Sequence, residues 1–245
     1  MERQLIRHKR LPIAVIYAAI LLGVCQLFPA LTGLSARADE HFLPPLMDTA
    51  FSEAEAQPDL CLSFTMEFRW KDHPPIVERF DGNTRKWILI SGDRDSLPRQ
   101  ARAKLRRYKS LESAPGGLSY GDYREHLSDV EQTGIRDGEL IYSFSSPSLP
   151  NDLNRDEMPV EMRLVIDEAI GGMREYAIIV ERPFKPNVFT SLKSFHFIQT
   201  FDRVFDDVPP VLKRFEWRSE GKSLVGKIDE QFTLEFSQFE KIMPH

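Results

Sequence analysis

Beyond the first 38 residues the chain has five histidines, His41, His73, His126, His196 and His245. No two stand at the spacing of a helical metal pair, and no cysteine joins them in a ligand cluster, so no metal site is expected. There is no Gly-x-Ser-x-Gly elbow, no phosphate-binding glycine loop and no Gly-x-Gly-x-x-Gly. Asp156-Glu157 falls in a loop and Asp167-Glu168 at a strand end. Neighbours along a strand point to opposite faces, so the second pair does not form an acid–base dyad. His196 alternates with phenylalanines and belongs to the polar face of its strand. Cys61 stands alone beside an apolar strand, where a buried thiol is favoured over a reactive one. The chain is therefore read as a non-enzyme that needs no cofactor, with an envelope hydrolase as the least supported rival.

Two other residue patterns carry chemistry. Large apolar side chains recur at every second position in several segments, and Phe64, Phe68, Trp70, Phe197, Phe201 and Trp217 are the candidates for contact with an apolar ligand. The second pattern is basic: Arg99, Arg102, Lys104, Arg106, Arg107 and Lys109 follow one another within eleven residues. Arg99, Arg102, Arg106 and Arg107 are the candidates for contact with anionic head groups or an acidic partner. The apolar positions of that segment (Leu97, Ala101, Leu105, Tyr108) are few and small, which argues against deep membrane insertion. Its plain alternative is a solvated helix face balancing an acidic domain.

The elements that must position these residues follow from periodicity. Residues 42–57 carry Leu43, Leu46, Met47, Ala50, Phe51 and Ala54 at helical spacing behind Pro44 and Pro45, which predicts a short amphipathic helix. Leu62, Phe64, Met66, Phe68 and Trp70 alternate with polar residues, a half-buried strand. Residues 77–80 and 86–91 read as a hairpin around Asp81-Gly82-Asn83, with positive φ in the turn. The basic segment, 97–110, is helical, and a second short helix is predicted over 120–131. Strands follow at 140–144, 160–166, 176–180, 194–205, 213–219 and 231–239. Gly171-Gly172 turns one hairpin, while Pro183 and Pro186 mark a bend or edge. The expected fold is α+β and mainly antiparallel β, with eight or nine strands and two or three short helices. The strands' apolar faces add up to one large surface, which a strongly curved sheet or unclosed β-barrel lidded by short helices would cover. A fully packed core without a cavity meets the same requirement.

The N-terminus reads as an export signal. Arg3, Arg7, Lys9 and Arg10 precede an apolar run from Leu11 to Phe28, and Ala36-Arg37-Ala38 supplies the small-x-small pattern beside a scissile bond. Cleavage after Ala38 leaves residues 39–245 as one domain. Val24 before Cys25 argues against a lipid-modified cysteine, and Pro29 and Gly33 argue against an uncleaved anchor. Five of the 32 basic and one of the 37 acidic residues precede Asp39, leaving 27 against 36 and a net charge of −9. So acidic a domain is not read as a nucleic-acid binder. A single thiol permits no internal disulfide, and a periplasmic location is expected.

Arg79-Phe80-Asp81-Gly82, Lys86-Trp87-Ile88-Leu89-Ile90 with Gly92-Asp93, and the closing Phe236-Ser237-Gln238-Phe239-Glu240-Lys241 resemble segments of uncharacterised proteobacterial exported proteins of the LolA/LolB-like periplasmic lipoprotein-carrier type. The overall plan over roughly residues 60–241 is similar as well. The resemblance implies an unclosed barrel with a hydrophobic cavity under short helices, a lipid acyl chain or lipoprotein as cargo, and an inner- or outer-membrane partner. It also implies a role in lipoprotein sorting, and an arginine in the helix lid for which any of Arg99, Arg102, Arg106 or Arg107 qualifies. The alternative function is a non-enzymatic envelope interaction protein with a packed core and no small ligand.

Overall fold

In the computed structural model, the described residues are 43–56, 62–109, 119–145 and 160–242. The expected export signal, Cys61, His41, His245 and Asp156-Glu157 lie outside them. Eleven strands form one sheet: β1 (Leu62–Trp70), β2 (Ile76–Asp81), β3 (Lys86–Ser91), β4 (Ser128–Arg136), β5 (Glu139–Ser145), β6 (Val160–Asp167), β7 (Gly172–Val180), β8 (Phe184–Asn187), β9 (Thr190–Asp202), β10 (Val211–Ser223) and β11 (Gly226–Lys241). The order is β3-β2-β1-β11-β10-β9-β7-β6-β5-β4, with β8 also on β9, and every pairing is antiparallel. The sheet is unclosed: β3 and β4 are its two ends. The mainly antiparallel α+β plan expected from periodicity is what the chain adopts.

Alternation explains the core. Phe68 faces Leu234 and Trp70 faces Phe232 across β1–β11, while Trp217 stands between Phe232 on β11 and Phe197 on β9. These side chains share one face of the sheet, and all of them are buried. Two α-helices pack on that face. In α1 (Pro45–Glu55), Pro45 occupies the first turn, where its missing N–H costs nothing, and Met47, Ala50, Phe51 and Ala54 form the buried stripe. Phe51 meets Tyr120 edge-on at 5.8 Å, and Tyr120 meets Phe201 at 5.3 Å. In α2 (Arg99–Lys109), Ala101, Lys104 and Leu105 are buried, and the Tyr108 ring lies 5.2 Å from that of Phe215.

Two local expectations change. The predicted helix over 120–131 is only a 3₁₀ helix, Gly121–His126, and the chain then enters β4. Tyr120, Tyr123, Leu127 and Val130 do fall at helical spacing. What decides the structure is the turn after Arg136, where Asp137 and Gly138 both take positive φ (53° and 88°) and close a two-residue hairpin onto Glu139. In the β2–β3 hairpin the positive φ sits at Arg85 (51°) rather than at Asp81-Gly82-Asn83. Asp81 shapes that turn through its carboxylate, which accepts the Asn83 amide at 3.0 Å and the Thr84 hydroxyl at 2.7 Å. These bonds hold the Asp81 carboxyl below its usual range, the Thr84 hydroxyl first. Gly82 is required by close approach: a Cβ there would sit 2.8 Å from the Leu62 carbonyl and run into the Ile242 side chain.

Candidate ligand site under the basic helix

The helix α2 presents to the sheet a stripe that is only partly apolar. Ala101, Leu105 and Tyr108 lie at helical spacing, and Lys104 falls between them on the same side. Its ammonium bonds Glu230 at 2.9 Å, with both side chains largely buried. The same nitrogen lies 4.7 Å from the Trp217 ring centre and 5.8 Å from that of Phe232, a cation held on aromatic faces. One turn on, Lys109 reaches Glu78 at 3.0 Å and stands 5.5 Å over Trp87.

Glu78 is a carboxylate on the apolar face. It alternates with Ile76 and Phe80 along β2 and its side chain has no exposed surface. One oxygen, Oε1, takes both Lys109 and the guanidinium of Arg94, whereas Oε2 is buried without a hydrogen-bond partner among the described residues. The helix is thus pinned to the sheet at both of its inward lysines. Removing an ion from water is costly, and a partner in the interior offsets that only in part.

Between α2 and the β10–β11 hairpin lies a pocket of about 160 Å³. Ala103, Lys104 and Arg107 line it from the helix, Leu192 from β9, and Val225 and Ile228 from the hairpin. The aliphatic side chains share the lining with polar and charged ones, among them Gln100, Lys227, Asp229 and the Lys104–Glu230 pair. A cavity of about 150 Å³ lined by aliphatic side chains admits one benzene-sized group, so a space of this size is too small for a whole acyl tail.

The six aromatics expected to touch ligand are placed as follows. Phe64, Phe68, Trp70, Phe197, Phe201 and Trp217 are all buried, between 0% and 7% exposed, and none lines the pocket. They pack on rings: Phe64 on Phe80 at 5.4 Å, Trp70 stacked on Phe232 at 5.8 Å, Phe197 edge-on to Phe215 at 5.1 Å. Trp217 is the one whose neighbour, Lys104, borders the pocket. Of the four arginines, Arg107 lines the pocket, Arg102 bonds Asp95 at 3.3 Å, and Arg99 and Arg106 are exposed. Periodicity did not single out Glu78, Lys104 and Lys109 as inward residues. The signals were present in the alternation Ile76-Glu78-Phe80 and in the place of Lys104 within the stripe of α2.

Other titratable groups have structural partners. His196 bonds Glu181 at 2.8 Å on the outer face, and the Asp167 carboxylate accepts the Ala169 amide at 2.8 Å, shaping the β6–β7 turn. Tyr123 donates to Gln199 at 2.6 Å. Burial pushes the Tyr120 hydroxyl up to about 12 and raises that of Tyr176 beyond the range of phenols in water. Among the described residues no group of three or more His, Cys, Asp or Glu could hold a metal ion, and no helix is long and apolar enough to cross a membrane. Comparisons with family models, curated proteins and solved structures return no match.

Proposed function

We propose that the protein is a carrier for an apolar ligand, a lipid acyl chain or the acylated end of a lipoprotein, similar in plan to the LolA/LolB-like periplasmic carriers. On this reading the open sheet is an unclosed barrel, α1 and α2 are its lids, and residues 1–38 are the signal that exports it to the periplasm. The observation that supports it is the underside of α2: a helix covering an aromatic sheet face holds two lysines there, each joined to a glutamate. A permanent core would place apolar side chains at those positions, because burying an ion pair is neutral or unfavourable against a hydrophobic replacement. A lid that must lift benefits from contacts that water can replace. The ligand enters beside Arg107 and Val225, and each methylene that follows onto the aromatic face gains about 0.8 kcal/mol.

A second reading has its own support. The aromatic rings interdigitate, with Phe232 stacked against both Trp70 and Trp217, which is the packing of an interaction protein with no small ligand. Native mass spectrometry of the protein recovered from its own cells separates the two. The carrier is expected to come away with a lipid of reproducible mass that a fluorescent fatty acid displaces. Protein that is always ligand-free and binds no fatty acid is the interaction protein.

A further inference from the structure

Three hairpins of the sheet close with only two residues between paired strand ends, and they differ in chemistry. Between Arg136 and Glu139 the tip is Asp137-Gly138, residue types suited to a tight turn. Between Asn187 and Thr190 the tip is Val188-Phe189, and between Ser223 and Gly226 it is Leu224-Val225. Tight turns have no use for such residues, and all four are exposed: Val188 is 87%, Phe189 56%, Leu224 72% and Val225 41% exposed. Because Thr190 pairs with Ser223 across β9–β10, the two apolar tips stand side by side at one end of the molecule.

Their surroundings are basic in a chain whose net charge is −5. Lys222 and Lys227 bracket one tip and Lys185 and Lys193 the other, with no acid in residues 222–227 or 185–193. The acids that approach from the adjoining strand segments are Glu220, bonded to Lys193 at 2.9 Å, and Asp229, bonded to Lys227 at 3.3 Å and to Lys71 at 2.8 Å. Lys185 and Lys222 are exposed. Arg107 and Lys227 line the adjoining pocket together with Val225, so the pocket lies next to the β10–β11 tip.

We propose that the paired tips, Val188-Phe189 and Leu224-Val225, dock the protein on an anionic lipid membrane surface. The four apolar side chains enter the head-group boundary, and the lysines meet lipid phosphates. This surface needs no cargo and does not rest on the carrier reading.

The test is hydrogen–deuterium exchange of the full chain with vesicles of phosphatidylglycerol and phosphatidylcholine in equal parts, and of phosphatidylcholine alone. Residues 11–28 are apolar enough to touch lipid themselves, so the readout is taken locally. Amides of residues 187–190 and 223–226 are expected to gain protection on the anionic vesicles, and less on phosphatidylcholine. Replacing all four tip residues by serine should abolish that protection and weaken co-sedimentation on the order of tenfold. Lys185→Glu with Lys222→Glu should weaken binding to anionic vesicles only. Protection confined to other segments overturns the proposal. So does a serine variant, folded by near-ultraviolet circular dichroism, that keeps the parent's footprint. The parent's footprint decides the matter even if that variant fails to fold.

Discussion

Phe232 gathers five aromatic rings around it. Its ring lies within about 6 Å of five others: 5.8 Å from Phe68 and Trp70, 5.7 Å from Phe215, 6.0 Å from Tyr108 and 6.1 Å from Trp217. Phe232→Ala should cost about 3–5 kcal/mol in urea denaturation, because five fixed rings cannot collapse into the gap. Glu78 presents a different case. Glu78→Gln leaves Arg94 and Lys109 facing a neutral amide, yet both cations retain some access to water. The loss expected is about 1–3 kcal/mol, below that for a fully enclosed pair; unchanged stability would show that the carboxylate holds nothing. Tyr120 shares the alkaline limb with Tyr176, whose hydroxyl burial raises further. The folded pKa of Tyr120, about 12, stands above the ordinary 10.0, so its contribution is complete below pH 10 and disappears as pH rises towards 12. The urea midpoint should fall over that window, and less steeply in Tyr120→Phe, which keeps the ring against Phe51 and Phe201 but cannot ionise.

At the scale of elements, α2 makes the sharpest prediction. Lys104→Met alone leaves Glu230 buried without its cation and should destabilise. Lys104→Met with Glu230→Gln should restore stability to within about 1 kcal/mol of the parent or exceed it, a double-mutant cycle read by urea denaturation. If the carrier reading holds, the double variant also takes up a fluorescent fatty acid more slowly, since an apolar underside releases less readily. The same helix shows how far periodicity reaches. Ala101, Leu105 and Tyr108 announced its inner face, but Lys104 and Lys109 read equally well as solvated members of a basic run. Only Glu78 and Glu230, from strands distant in sequence, draw them inward. Strict alternation over residues 62–70 made β1 legible, and Gly171-Gly172 marked the β6–β7 turn. The strand β4 was not legible, for a physical reason. An edge strand in contact with water needs no apolar face, and Val130 and Ile135 are its only large apolar residues. The pocket could not be read at all, because it depends on the register that brings Leu192 of β9 beside the β10–β11 hairpin.

The whole molecule is one sheet with two unlike margins. On β4 the ladder is interrupted twice, and Asp129 takes a positive φ of 48°; irregular, polar edges resist pairing with another chain. On β3 one irregularity faces Val77–Glu78, but Ile88, Leu89 and Ile90 are all exposed. Ile88→Lys should reduce light scattering in concentrated solution while shifting stability by no more than about 0.5 kcal/mol; scattering equal to the parent's would clear that margin of any part in self-association. The gap between the margins matters in one more respect. In a cylinder sewn shut by backbone bonds, circumference is dictated by strand number and stagger. Here no seam joins β3 to β4 among the described residues, so the sheet can flex without any ladder bond being broken. Resistance to such breathing comes from side-chain contacts alone, and on the carrier reading proposed above that freedom would let the space under the helices adjust to the girth of its cargo.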